Sequence, residues 1–253
     1  SKAYRRTFFH CLPGRRHYRN VPKTSTHPQL ALAQKIADSA CHRHPAEIMA
    51  VGGHGRLTHD DERDNADLKL VVITYRPQQA VRSTAREIDR TLVEVEVVAA
   101  ESYLARARTL TVSWPLLADR YLYTVPLHDE VGWHRRLRDT HIARLAEAPG
   151  TEFTMLSRES WCRASSYYRR AQWHSERFDA DRALLLLAEA RIATAVTEGL
   201  LTRTYFHSAA DAAKRTALAG ADLESVGTRL ESHAEELAKR GRPVVGTVTD
   251  LFG

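Results

Sequence analysis

Ile48-Met49-Ala50-Val51-Gly52-Gly53-His54-Gly55-Arg56, followed after a polar loop by Asp67-Leu68-Lys69-Leu70-Val71-Val72-Ile73-Thr74, is the stretch that decides the fold. Its second half is β-branched and apolar and reads as a buried strand. Its first half is a shorter apolar run broken by glycines. Glycines at a strand end let a backbone approach a phosphate closely, and exposed N–H groups with an arginine can cradle one. Working outward, Val93-Glu94-Val95-Glu96-Val97-Val98 is a further strand with alternation at its start. Residues two apart on a strand share a face, so Asp67 lies with Lys69, and Glu94 with Glu96. A glycine-rich turn with carboxylates on two neighbouring strands has the makings of a Mg²⁺–triphosphate site.

Around this centre the spacing predicts a helix from Pro28 to Ala40, ended by Pro45, a helix over 79–90 and another over 101–108. Residues 1–26 are basic and rich in turn formers and read as an irregular leader. From about residue 130 strand patterns give way to helical ones, at 130–147, 152–175, 180–201, 208–219 and 222–240. Asp179 and Asp181 stand where a cap is wanted, and Pro243-Val244-Val245 reads as a strand or an extended arm. The fold class is therefore α+β, with an α/β domain over 27–129 and a helical domain over 130–253.

Composition narrows the function. With 43% hydrophobic and 27% charged residues the chain is globular rather than collagen-like or disordered. No run approaches 18 apolar residues, which excludes a membrane-spanning helix. The net charge of +6 rests on 31 arginines and six lysines dispersed among 31 acids, so no basic run of nucleic-acid type forms. Solvated arginine-rich helix faces account for most of them, and a phosphate-bearing small ligand is the functional reading. Cys11, Cys41 and Cys162 fit no metal motif, and with no secretory pattern the expected location is the cytoplasm. His128-Asp129, His134 and His141 fall in or beside one helix, where histidines in structural or surface roles are expected and acid–base work is the alternative.

Residues 48–74 resemble the signature of the nucleotidyltransferase-fold enzymes: a strand, a glycine turn with a downstream arginine, then a strand opened by an aspartate. The likeness is greatest to the kanamycin-modifying, aminoglycoside branch. It continues through Val93-Glu94-Val95, Trp114-Pro115-Leu116 and Val125-Pro126-Leu127-His128-Asp129, and more faintly to Trp173 and Tyr205. The resemblance implies a nucleotidyltransferase-type mixed sheet followed by a helical bundle, using Mg²⁺ and a nucleoside triphosphate. It implies transfer of a nucleotide to a small natural product or antibiotic by a homodimer. Gly52, Gly53 and Arg56 would hold the triphosphate. Asp67 and Glu94, or Glu96 in place of Glu94, would hold the metal.

The departures sit where the chemistry is. Gly53 stands at the usual serine, and Lys69 at the second metal carboxylate. Tyr168 falls at the helical glutamate base, with Gln172 at its lysine partner. Two unit charges 4 Å apart interact by about 4 kcal/mol at an effective dielectric near 20, so an ammonium facing Mg²⁺ costs roughly twice that. Lys69 can instead pair with Asp67 or meet a phosphate as a point charge. His59, Asp60, Asp61, Glu62 and Asp64 in the intervening loop could rebuild a metal site or lie in solvent. Catalytic candidates are thus Lys69, Glu94 and Tyr168. The alternatives to nucleotidyl transfer are a metal-independent enzyme of small-molecule biosynthesis and a non-catalytic binding protein.

Overall fold

The computed structural model describes residues 28–58, 67–77 and 80–251; the expected leader and the acidic residues 59–64 lie outside them. Helix α1 (Pro28–Arg43) opens on a proline, whose fixed φ suits a first turn, and closes on His42 and Arg43. Strands β1 (Ile48–His54), β2 (Leu68–Thr74), β3 (Thr84–Ile88), β4 (Thr91–Ala99) and β5 (Val125–His128) form one sheet in the order β3-β4-β2-β1-β5. β1 runs antiparallel to β2 and β5, β2 parallel to β4, and β3 antiparallel to β4. The α+β class with a mixed sheet is thereby established.

Central position explains composition. β2 is buried along its length except at Lys69, which is why it reads as a near-continuous apolar run. On one face Ala33 and Ala37 of α1, one turn apart and fully buried, pack on Leu68, Leu70, Val51 and Val72. The other face carries Lys69, Glu94 and Glu96, since side chains alternate along each strand.

After β4 the chain forms α2 (Ala100–Arg108), α3 (Trp114–Leu122), β5 and α4 (Trp133–Glu147). Tyr103 stacks on Trp133 at 5.8 Å and meets Tyr121 edge-on at 5.6 Å. His141 reaches the end of α2, where its Nδ1 donates to the Ala107 carbonyl at 2.7 Å.

The chain divides into two compact units, one up to Thr109 with Asp119–Arg144, the other Leu110–Ala118 with Leu145 onward. The sheet unit thus keeps most of α4, whose Trp133 and His141 are buried on α2 and α3 residues. In the second unit α5 (Gly150–Ser175) and α6 (Ala180–Thr202) are joined by a short turn, followed by α7 (Ala209–Arg215) and α8 (Leu223–Lys239). Of the two expected caps Asp179 is the one used, its carboxylate accepting the Arg182 N–H. Ser208 and Asp222 cap α7 and α8 in the same way. Small residues let these helices close up: Ala164, Ala171, Ala190 and Ala195 are fully buried in one core. The Trp161 indole donates to the Leu230 carbonyl at 2.8 Å. The tail after α8 forms no strand among the described residues, only a short 3₁₀ turn at Val248–Leu251.

Of the helix expected over 79–90, the described residues 80–90 form none. Thr84–Ile88 is an edge strand, joined to β4 by the two-residue turn Asp89-Arg90 with φ of 49° and 66°. Positive φ at both central positions is the hairpin turn of type I′, which normally announces itself by Asn-Gly or Asp-Gly. Here the second position is arginine, and the usual signal is missing. A left-handed backbone costs a non-glycine residue about 1 kcal/mol or more. Arg90→Gly is therefore expected to raise stability by about 1 kcal/mol. An unchanged or lowered urea midpoint would contradict the turn.

Candidate functional site

Three adjacent strands place their charged residues in one row. Lys69 of β2 pairs in register with His54 of β1 on one side and Glu94 of β4 on the other. Neighbouring strands lie about 4.8 Å apart, so these three side chains rise side by side from one face. One step along, the row is Gly52, Val71 and Glu96. The β1–β2 pair is antiparallel and the β2–β4 pair parallel, so the end of β1 and the beginnings of β2 and β4 meet at one end of the sheet.

Lys69 Nζ lies 3.8 Å from Glu94 Oε2, with both side chains about half exposed at 46% and 47%. Glu96 is held by two arginines. Its Oε1 accepts from Arg106 Nη1 of α2 at 2.6 Å, and Arg120 Nη1 of α3 lies 3.6 Å from Oε2. His54 is 8% exposed. Burial, aided by the nearby charges of Arg120 and Lys69, pulls its imidazole down to about 4, so it is neutral at pH 7. Beneath them the Tyr103 hydroxyl is buried with no hydrogen-bond partner among the described residues. Burial pushes its ionisation well up.

The other expected residues fall as follows. Gly52 and Gly53 lie inside β1 rather than in the turn, and the space where their side chains would point is filled from within. A Cβ on Gly52 would lie 2.3 Å from Thr124 Cγ2 and 2.5 Å from His134 Nε2; one on Gly53 would lie 2.2 Å from Leu57 Cδ1. Gly55 makes the turn, at φ 68°. Arg56 follows it in the 3₁₀ turn Gly55–Leu57. Asp67 stands partly exposed immediately before β2. Tyr168 lies on α5 with its hydroxyl against Gly227 of α8, where a Cβ would come within 2.6 Å.

Two of the expected histidines, His134 and His141, are buried in the sheet unit. Asp129 caps α4, accepting the Trp133 N–H at 2.7 Å and the His134 N–H at 3.0 Å. It also lies 3.1 Å from His134 Nδ1. Burial lowers the pKa of both His134 and His141.

A two-metal carboxylate set does not fit the described residues. Glu94 is beside an ammonium, Glu96 is between guanidinium groups, and no three His, Cys, Asp or Glu side chains among the described residues converge as metal ligands. The arrangement is instead a line of cations and carboxylates around a neutral imidazole, able to meet an anion and to move protons. Sequence reasoning had Lys69, Glu94 and Glu96. It missed Arg106 and Arg120, which arrive from helices that no strand spacing can foretell. His54 stood in the quoted motif without a role.

No protein-family model matches the sequence, and no curated protein matches it. Among solved structures the chain is similar to a nucleotidyltransferase-like protein from Exiguobacterium sibiricum. Identity is 16%, with 83% of this chain and 74% of that chain covered at a TM-score of 0.41.

Proposed function

We propose that this chain is a nucleotidyltransferase-like protein that receives the phosphates of a nucleotide on the Lys69 row and acts with a small natural product or antibiotic as its second ligand. What supports the reading is the register His54–Lys69–Glu94, which follows directly from the motif strands carrying the family resemblance. Lys69 takes the place of a metal ligand with a charge of its own, and an ammonium binds phosphate as a point charge. The homodimer and the acceptor hydroxyl belong to the same reading and rest on the resemblance. Metal-dependent two-ion transfer is not part of it.

A second reading is favoured by one observation, the 3.8 Å Lys69–Glu94 pair. A carboxylate beside an ammonium, in reach of a neutral imidazole, is equipped for metal-independent acid–base chemistry on a small molecule.

Calorimetric titration of ATP, GTP, CTP and UTP, with and without Mg²⁺, separates the readings. The first expects one nucleotide to bind with an affinity that Mg²⁺ changes little. Lys69→Glu should weaken it tenfold or more, and Lys69→Arg should keep part of it. Binding that requires Mg²⁺ and ignores Lys69→Glu would return ordinary nucleotidyl transfer to the lead. No binding of any nucleotide would leave the acid–base reading.

A further inference from the structure

We propose that the opposite face of the sheet holds a second binding site, for a small amphiphilic anion: an apolar chain or ring ended by a carboxylate or phosphate. Helix α1 covers β1 and β2 on this face, and beside it a cavity of about 470 Å³ opens over β4 and β3. Its floor is apolar, made by Val51, Val72 and Val95 with Ile36 and Ile88 at the sides. That volume lies within the range of small-molecule sites.

The mouth is cationic. Lys35 and Arg43 of α1 and Arg82 from the segment before β3 line it and are exposed. None of the three has an ion-pair partner among the described residues. Glu47, close to the mouth, is already engaged: its Oε1 lies 3.5 Å from His44 Nδ1, and its Oε2 accepts the Ala80 N–H at 2.8 Å. An apolar floor under three uncompensated cations favours a ligand with an apolar body and an anionic head.

Charge also argues against this chain's own leader as the occupant. Residues 1–26 carry five arginines, two lysines and no acid, and would meet like charge at the mouth. The site is distinct from the Lys69 row, because Val72 and Val95 alternate with Lys69 and Glu94 onto opposite faces. It does not depend on the nucleotide reading.

The test is calorimetric titration of the full chain with decanoate, decyl phosphate and neutral decanol, each below its micelle-forming concentration. One of the two anions should bind saturably at one site, with decanol at least tenfold weaker; the tighter anion identifies the head group. Arg43→Glu with Arg82→Glu should weaken the anion tenfold or more and leave decanol unchanged. Ile36→Trp, which fills the cavity from its side, should remove binding. If that variant does not fold, the exposed charge variants keep the test intact. Failure of both anions to saturate, whether or not residues 1–26 fill the cavity themselves, would overturn the proposal. So would equal affinity for decanol, or indifference to the double charge reversal.

Discussion

Gly52→Ala is expected to destabilise the protein by about 3 kcal/mol or more, at the upper end of the cost of overpacking a core. The new methyl would stand 2.3 Å from Thr124 Cγ2 and 2.5 Å from His134 Nε2, distances that real Cβ atoms do not show. Neither neighbour can step aside cheaply. The Thr124 hydroxyl donates to the Arg120 carbonyl, and His134 is held by Asp129 at 3.1 Å. β1 cannot move either, being hydrogen-bonded on both sides. Thr124→Ser, which deletes one of the two obstructing groups, should recover part of the loss in the double variant. Urea unfolding of the three variants measures this directly. A Gly52→Ala chain that keeps its stability but loses nucleotide binding would show the glycine to be a phosphate contact instead.

Acidification from pH 7 to pH 4 should cost about 3 kcal/mol through His54 alone. The ordinary imidazole pKa is near 6.5, and burial holds His54 down to about 4 in the folded chain. Between those values the unfolded chain binds a proton that the folded chain refuses, so stability falls as pH falls. His134 and His141, also lowered by burial, act in the same direction. Asp129 adds to the loss at lower pH. Its carboxylate is held below its usual range by the Trp133 and His134 N–H groups and by the His134 ring, against the desolvation that would raise it. Its contribution disappears only once the pH drops below the usual carboxylate range. Denaturation curves at pH 7.5, 6, 5 and 4.5 should show the slope, and His54→Gln should flatten it. A stability independent of pH over that interval would mean that His54 is solvated and charged in the folded chain.

The sheet was legible where burial on both faces leaves a β-branched run, as in β2, and where alternation marks a strand, as at Glu94–Glu96 of β4. The helices of the second unit were legible because strand patterns are missing there and most begin on a capping residue such as Asp179 or Asp222. β3 was hidden because its residues are exposed and its turn lacks the glycine that announces a hairpin. The glycines of β1 carried the phosphate expectation because a sequence shows where a side chain is missing but not what occupies the space. In this chain Thr124, His134 and Leu57 occupy it. For the candidate site, the alternation rule gave the shared face of Glu94 with Glu96, whereas Asp67 falls just before β2 and Lys69 is paired with Glu94 instead. The guanidinium groups on Glu96 come from positions ten and twenty-four residues downstream of it, Arg106 and Arg120, and only the packing of α2 and α3 brings them there.

The two margins of the sheet bear on how copies of this chain can meet. β5 is four residues long and includes Pro126, which offers no N–H to a neighbour. β3 is five residues long, exposed, and carries Arg86 and Glu87. Short, charged or proline-bearing margins are poor templates for a further strand from another molecule. Continuous sheets built across two copies, and fibrils seeded from this sheet, are therefore disfavoured by its construction. Association of copies is therefore not expected to run through these margins, so that Arg86 and Glu87 variants should leave it as it was.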